Sequence, residues 1–239
     1  MQSYPVLYSY RRCPYAMRAR MGIYLAGVQV EQREIVFWDK PPLMLAASPK
    51  ATVPVLILPD GHVIDESLDI LFWAVNQSEQ ACSDLIPQDE ALLERMKAWV
   101  ERNDNEFKDW LDKYKYADRF LEQSQSDYRQ HGELFLKSIE VSLTEHIFLL
   151  GNSLSLADIA LFPFVRQFVN VDKVWFEQAD YPYLKNWLAG LLKSHAFKAV
   201  MKNRPVWQAG HYPLWVDEPD LQTRNEFTAK AIANTMVEQ

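Results

Sequence analysis

The stretch Val6-Leu7-Tyr8-Ser9-Tyr10-Arg11-Arg12-Cys13-Pro14-Tyr15-Ala16 decides how the chain is read. Val6–Tyr10 is an apolar strand signal. Pro14 opens a helix, because proline's fixed φ suits the first helical position and its missing N–H would have gone unpaired there. The helical pattern runs to about Ala26 and stops at Gly27, and a second strand signal follows at Val30–Val36. Strand, helix and strand in this order form a βαβ unit, which implies a parallel pair.

Cys13 is thereby left at the helix cap, facing unpaired backbone N–H groups and the positive end of the macrodipole. Arg11, Arg12, Arg18 and Arg20 add formal charge nearby. Such settings favour the thiolate and can bring a cysteine from about 8.5 down to roughly 3.5–7.5. The alternative, a buried cysteine acting as a small hydrophobe, is the commoner fate of a lone thiol. A dithiol oxidoreductase needs a second sulfur three residues on, and position 16 is alanine. Redox chemistry at Cys13 therefore requires an external thiol to resolve it.

Working outward, an irregular stretch holds Lys40-Pro41-Pro42 and Ser48-Pro49. Then Val53-Pro54-Val55-Leu56-Ile57-Leu58, the turn Pro59-Asp60-Gly61 and His62-Val63-Ile64 read as a β-hairpin. A helix follows from about Glu66 through Asn76. Beyond Pro87 strand signals stop and long helical periods take over, at Glu90–Lys115, Ser126–Phe148, Leu156–Val169, Tyr183–Leu192 and His195–Lys202. The fold class is thus α/β plus all-α: a first domain over residues 1–80, a boundary near 78–88, and a helical domain with a C-terminal tail over 88–239. Ser155 and Asp158 carry a capping-box signature with Leu154 and Ile159 as the staple, a structural feature. The tail, with Trp207, Tyr212, Trp215 and a helical stretch near Leu221–Met236, is rich enough in aromatics to be expected to fold back over the body.

Composition narrows the function classes. A net charge of −7 and a pI near 5.3 argue against a nucleic-acid binder, which needs clustered Lys and Arg. Two cysteines, Cys13 and Cys82, make no disulfide framework, and the five histidines stand alone, so no metal site is expected. With no signal-peptide pattern and no apolar run of the roughly 20 residues that span a bilayer, a cytoplasmic protein that does not enter the membrane is expected.

Three motifs, Cys13-Pro14-Tyr15-Ala16, Thr52-Val53-Pro54-Val55-Leu56 and Asp65-Glu66-Ser67, recur in an order and spacing that resembles the glutathione transferase superfamily over about residues 4–205. Cys-Pro-aromatic-Ala and Asp39-Lys40-Pro41 look most like the cysteine-type, omega-like and bacterial omega-related members. The resemblance implies a thioredoxin-like first domain, glutathione as co-substrate without a metal, and a homodimer. It also implies Cys13 as the catalytic thiol and Pro14, Tyr15, Lys40, Val53, Pro54, Glu66 and Ser67 as glutathione-binding residues. In that fold the Val53–Pro54 bond is expected to be cis, with the Val53 N–H and C=O pairing with glutathione's cysteinyl backbone; a proline merely opening a strand explains Pro54 without a ligand. Glu66 and Ser67 would hold the γ-glutamyl end at a helix N-terminus, or simply cap that helix. Lys40 would meet the glycyl carboxylate. Trp110, Tyr114, Phe164, Phe168 and Trp215 are candidates for a hydrophobic pocket between the domains, although aromatics at helical spacing are usually core.

The implied activity is a thiol transferase or reductase working through a Cys13–glutathione mixed disulfide, on disulfides, dehydroascorbate or glutathionyl adducts. Two alternatives compete with it. One is conjugation to electrophiles through a strand-end hydroxyl of Tyr8, Ser9 or Tyr10; the other is a non-catalytic, transferase-like adaptor that binds a protein partner.

Overall fold

The computed structural model describes residues 4–78, 83–219 and 221. The chain divides into two compact units, Met1–Ala81 with His195–Gln239, and Cys82–Ser194.

In the first unit the element order is β1 (Val6–Ser9), α1 (Pro14–Ala26), β2 (Glu31–Glu34), α2 (Pro42–Ala47), β3 (Val55–Ile57), β4 (Val63–Ile64) and α3 (Ser67–Asn76), with α10 (His195–Val200) returning to it. The sheet order is β2-β1-β3-β4. β1 pairs parallel with β2, Val6 opposite Glu31 and Ser9 opposite Glu34, and antiparallel with β3, Tyr8 opposite Val55. The turn at Asp60–Gly61 closes β3 onto β4, as the sequence predicts. Every residue of the central strand β1 is buried, which explains its unbroken apolar run.

Helix α1 begins with Pro14 at its first position and ends at Gly27, whose φ of 65° places it in the left-handed cap that glycine adopts without strain. α1 packs along α3, and the approach is close at Gly22, where a side chain would run into Leu71. Val6, Tyr8, Ala16, Ile35, Met44, Val53 and Val55 form a buried cluster, against which Tyr10 and Cys13 pack. The stretch around Lys40-Pro41-Pro42, expected to be irregular, contains α2. Pro42 starts that helix and Leu43 to Ala47 are good helix formers, so the prolines mark its entry.

The second unit is helical: α4 (Glu90–Arg102), α5 (Lys108–Lys115), α6 (Gln125–Ser142), α7 (Leu156–Val169), α8 (Lys173–Gln178) and α9 (Pro182–Lys193). The single helix expected over Glu90–Lys115 carries a wide turn with i→i+5 bonding at Asn103–Phe107, where it divides into α4 and α5. There Phe107 stacks on Phe135, with ring centroids 4.5 Å apart, and lies 5.3 Å from Phe168. α7 is buried on nearly all sides. Its capping box forms: Asp158 Oδ2 accepts from the Ser155 N–H (2.9 Å) and hydroxyl (2.5 Å), while Oδ1 accepts from the Leu149 N–H (3.0 Å) and Trp187 Nε1 (2.8 Å).

The helical domain is expected over 88–239, and the second compact unit runs over Cys82–Ser194. The second unit stops at Ser194, because α10 packs on α1 and the segment after it bonds along β2. The helical stretch expected near Leu221–Met236, like Cys82, lies outside the described residues apart from Leu221 itself.

Candidate functional site

Three chain segments of the first unit carry the residues expected at the site, apart from Lys40. The first is the turn from β1 into α1. Cys13 is the N-cap of α1 with extended backbone (φ −71°, ψ 124°); its N–H donates to the Tyr10 carbonyl (3.1 Å), and its own carbonyl accepts from Met17 (2.9 Å). The thiol is half-buried, forms no disulfide among the described residues, and its Sγ lies 3.7 Å from the Val53 carbonyl oxygen. Pro14 is buried behind it, and Tyr15 has the Arg18 guanidinium 5.7 Å from its ring centroid.

The second segment is the loop entering β3. Ala51 adopts φ 55°, a conformation unusual for a residue with a Cβ, and its N–H bonds back to Ser48 (3.0 Å). The Val53–Pro54 peptide bond is cis. Both Val53 and Pro54 are buried.

The third is the N-terminus of α3, where Glu66 is the N-cap and Ser67 the first helical residue. Ser67 is buried, and its hydroxyl accepts from Arg18 Nη1 (3.3 Å), which ties α3 to α1. Glu66 is exposed. Lys50 bridges the second and third segments, with its ammonium paired to Glu66 and to Asp65 (3.2 Å). The Ser48 hydroxyl, at 2.7 Å, holds the Asp65 carboxyl below its ordinary range, and Lys50 adds to the effect against a smaller desolvation cost.

Of the residues named from sequence, Cys13 and Val53 are in contact, Pro14 and Pro54 adjoin them, and Glu66 and Ser67 are joined to the same region through Lys50 and Arg18. The Lys40 ammonium lies 5.9 Å from the centroid of Phe37, which packs edge-on against Tyr10 of the turn before Cys13. The lysine that reaches the Asp65–Glu66 pair is Lys50, a residue not among those expected from sequence. Its position two residues ahead of Thr52-Val53-Pro54 was the available signal.

The arginines near Cys13 in sequence separate into different roles. Arg12 is exposed, whereas Arg18 and Arg20 are fully buried. Arg20 donates to the Ser9 hydroxyl (2.5 Å) and to the Tyr10 and Arg11 carbonyls (3.2 and 2.8 Å). Burial lowers its pKa to about 10, an effect partly offset by attraction to Glu34 and Cys13. Among the strand-end hydroxyls, Ser9 is thus held by Arg20. The Tyr8 hydroxyl accepts from Arg33 Nη1 (3.0 Å), and the Tyr10 ring packs edge-on against Phe37, centroids 4.7 Å apart.

The pocket candidates are packing residues. Tyr114, Phe164 and Phe168 are buried in the second unit, Trp110 stacks on His131 at 4.1 Å, and Trp215 meets Tyr4 edge-on at 4.8 Å. A cavity of about 570 Å³ in the second unit, lined in part by Phe148, Leu154, Trp187 and Leu191, includes none of the catalytic, glutathione-binding or pocket residues expected from sequence. Among the described residues no cluster of His, Cys, Asp and Glu could hold a metal ion, and no helix is long and apolar enough to cross a membrane.

A family model described as the N-terminal domain of glutathione S-transferase matches residues 7–81, and one described as its C-terminal domain matches residues 97–190. The chain is 28% identical over 171 residues to the probable glutathione S-transferase MSR-1 of Nicotiana plumbaginifolia, covering 70% of this chain and 74% of that protein. It is 26% identical over 204 residues to glutathione S-transferase omega-1 of Mus musculus, covering 84% of this chain and 77% of that one. A solved glutathione S-transferase from Methylobacillus flagellatus, with glutathione bound, matches with a TM-score of 0.70 and 25% identity over 81% of this chain and 97% of that one. Both domain matches fall in chain order on a four-stranded mixed sheet followed by a helical unit, and the chain belongs to the glutathione S-transferase superfamily.

Proposed function

We propose that the protein is a glutathione-dependent thiol transferase or reductase whose nucleophile is the Cys13 thiolate. The observation that carries this reading is the placement of the thiol, at the N-cap of α1 and 3.7 Å from the Val53 carbonyl beside the cis Val53–Pro54 bond. The helix N-terminus and the Arg20 guanidinium both favour negative charge on that sulfur. Glutathione bound in solved relatives supports it as the co-substrate.

On this reading the α3 N-terminus and the Ser67 hydroxyl receive the γ-glutamyl carboxylate. Glu66, Asp65 and Lys50 together leave one net negative charge, which suits the γ-glutamyl ammonium group. The cysteinyl backbone pairs with the Val53 N–H and C=O beside Pro54. Pro14 and Tyr15 back the thiol, and Lys40 reaches the glycyl carboxylate from its own turn.

In the first step the thiolate attacks the glutathione sulfur of a mixed disulfide R–S–SG. The Cys13–S–SG bond forms, the RS–SG bond breaks, and RS⁻ leaves with the electron pair. A second glutathione thiolate then attacks the glutathione sulfur on Cys13, releasing oxidised glutathione and regenerating the Cys13 thiolate. Alanine at position 16 supplies no resolving thiol, consistent with an external one. Small disulfides and dehydroascorbate would each be reduced as two glutathiones are oxidised to their disulfide, and a glutathionyl adduct as its own glutathionyl group and one further glutathione are. A cytoplasmic homodimer is part of the proposal.

Conjugation through a strand-end hydroxyl is disfavoured by the commitments of Ser9 to Arg20 and of Tyr8 to Arg33. The test is steady-state reduction of a glutathionylated peptide by wild type, Cys13→Ala and Cys13→Ser. Loss of reduction in both variants, with aryl-halide conjugation kept or gained, is expected. Reduction by Cys13→Ala within about twofold of wild type would defeat the proposal. Glutathione at 100 times its Kd should stabilise the fold by about 2.7 kcal/mol; no shift at millimolar glutathione would favour the adaptor.

A further inference from the structure

The segment after α10 lies along β2, the edge of the sheet. The Trp207 N–H donates to the Glu34 carbonyl (2.8 Å), the Gln32 N–H to the Leu214 carbonyl (2.7 Å) and the Val216 N–H to the Val30 carbonyl (3.0 Å), while Glu31 pairs antiparallel with Trp215. An edge strand is commonly shielded in some such way. What goes beyond shielding is where the covered side chains lead.

Residues 32 and 34 share one face of β2 and residue 33 takes the other. On one face the Arg33 guanidinium sits 4.4 Å from the Trp207 ring centroid. On the other, the largely buried Glu34 carboxylate accepts from Gln32 Nε2 (3.1 Å) and from the Arg11 backbone N–H (2.6 Å). Arg20 holds the same turn from inside, through Ser9, Tyr10 and Arg11. Ser9, Tyr10 and Arg11 are therefore pinned by one buried carboxylate and one buried guanidinium, and Tyr10 in turn accepts from the Cys13 N–H.

The strap contributes charge to this assembly as well as backbone. Arg204 donates to the Trp215 and Val216 carbonyls (2.7 and 3.0 Å), which folds the strap on itself. Its guanidinium is attracted to Glu34, Glu218 and Asp217 and repelled by Arg20. Glu34 attracts both Arg20 and Arg204, Glu218 and Asp217 attract Arg204, Arg11 and the Cys13 sulfur also act on Arg20, and His211 lines the same small cavity as Glu34.

We propose that the strap, residues 204–218, is a positioning element for the Cys13 thiol: it fixes Glu34 at the end of β2, and Glu34 with Arg20 fixes the turn that holds Cys13 at the cap of α1. The inference rests on the reading of Cys13 as the reactive thiol. Glu34, Arg20 and Trp207 touch no reacting atom and act through the turn.

The test is the pH profile of Cys13 alkylation by iodoacetamide in the full-length protein, followed by mass spectrometry, for wild type, Trp207→Pro, Glu34→Ala and Glu34→Gln. Trp207→Pro deletes the N–H that ties the strap to Glu34, and Glu34→Ala deletes the acceptor for Arg11. Each should raise the titration midpoint by about one pH unit, toward the free-thiol value near 8.5, in protein that circular dichroism shows to be folded. Glu34→Gln keeps an acceptor oxygen and removes a negative charge, so its midpoint should stay at or below that of wild type. An unchanged midpoint in folded Trp207→Pro overturns the inference while leaving the thiol reading intact, and this variant decides the matter if Glu34→Ala does not fold. A midpoint that rises as far in Glu34→Gln as in Glu34→Ala separates the effect from the acceptor oxygen and also overturns it. A wild-type midpoint near 8.5 removes the reactive-thiol reading and the positioning role together.

Discussion

Replacing Gly22 by alanine sets two effects of opposite sign against each other. In a helix interior alanine is favoured over glycine by about 0.5–1 kcal/mol, because glycine loses more backbone entropy on folding. Against this, a Cβ at position 22 would sit 2.2 Å from Leu71 Cδ1 and 3.3 Å from Leu71 Cα, where ordinary contact is 3.4–4 Å. Leu71 is 1% exposed, so its side chain has little room to turn away, and its Cα belongs to the backbone of α3. The helices must separate. Overpacking of this kind costs about 1–3 kcal/mol, and an overlap this severe belongs in the upper half of that range, which leaves a net loss of roughly 1–2.5 kcal/mol. At about 2–4 °C per kcal/mol, thermal unfolding should resolve it. The same separation should lengthen the 3.3 Å contact between Arg18 Nη1 and Ser67, since α1 carries Arg18 and α3 begins at Ser67. Paired thermal and urea unfolding of wild type and Gly22→Ala is the assay. A variant as stable as wild type, or more so, would refute the claim that the α1–α3 spacing is set by contact at this glycine.

Asp158→Asn should destabilise the second unit by about 2–5 kcal/mol in urea unfolding. Its amide nitrogen cannot accept, so one pair of buried donors, either Leu149 with Trp187 or Ser155 N–H with its hydroxyl, is stranded. Ser48→Ala should raise the Asp65 pKa, read by NMR titration of the carboxyl. Because the folded value in wild type lies below the unfolded one of about 3.9, Asp65 contributes stability that is present above that pH and lost as pH falls through the folded value. Ser48→Ala should therefore lose stability at neutral pH and show a weaker acid dependence near the Asp65 titration. Lys50→Met should weaken glutathione binding less than Ser67→Ala does in calorimetry, because removing Lys50 also leaves Glu66 and Asp65 unneutralised toward the ligand's ammonium.

What sequence revealed follows from how local each determinant is. Helix α1 was legible to the residue because Pro14 and Gly27 punctuate it, and the Ser155–Asp158 capping box because its four residues are contiguous. The hairpin announced itself through Pro59-Asp60-Gly61. In contrast, the wide turn at Asn103–Phe107 interrupts a helix whose polar and apolar periods run on through it, and α8 is too short to show a period. α2 was hidden behind two prolines. The site divided in the same way: Cys13, Val53-Pro54 and Glu66-Ser67 are short motifs, whereas Lys50 to Glu66, Arg18 to Ser67 and Arg11 to Glu34 join residues 16, 49 and 23 positions apart. Burial of Arg18 and Arg20 was equally unreadable. Arginine near a reactive cysteine looks like surface charge until the fold places β1 and α3 around it.

The thiol itself is the most direct point of test. Reduced wild type and Cys13→Ala are incubated with oxidised glutathione at neutral pH, and the intact masses are measured. The account predicts one glutathione on wild type through a Cys13–S–SG bond, with one reduced glutathione released. It predicts none on the variant, and removal of the adduct by excess reduced glutathione. Wild type that takes up no glutathione, or a Cys13→Ala variant that takes up as much, would contradict it.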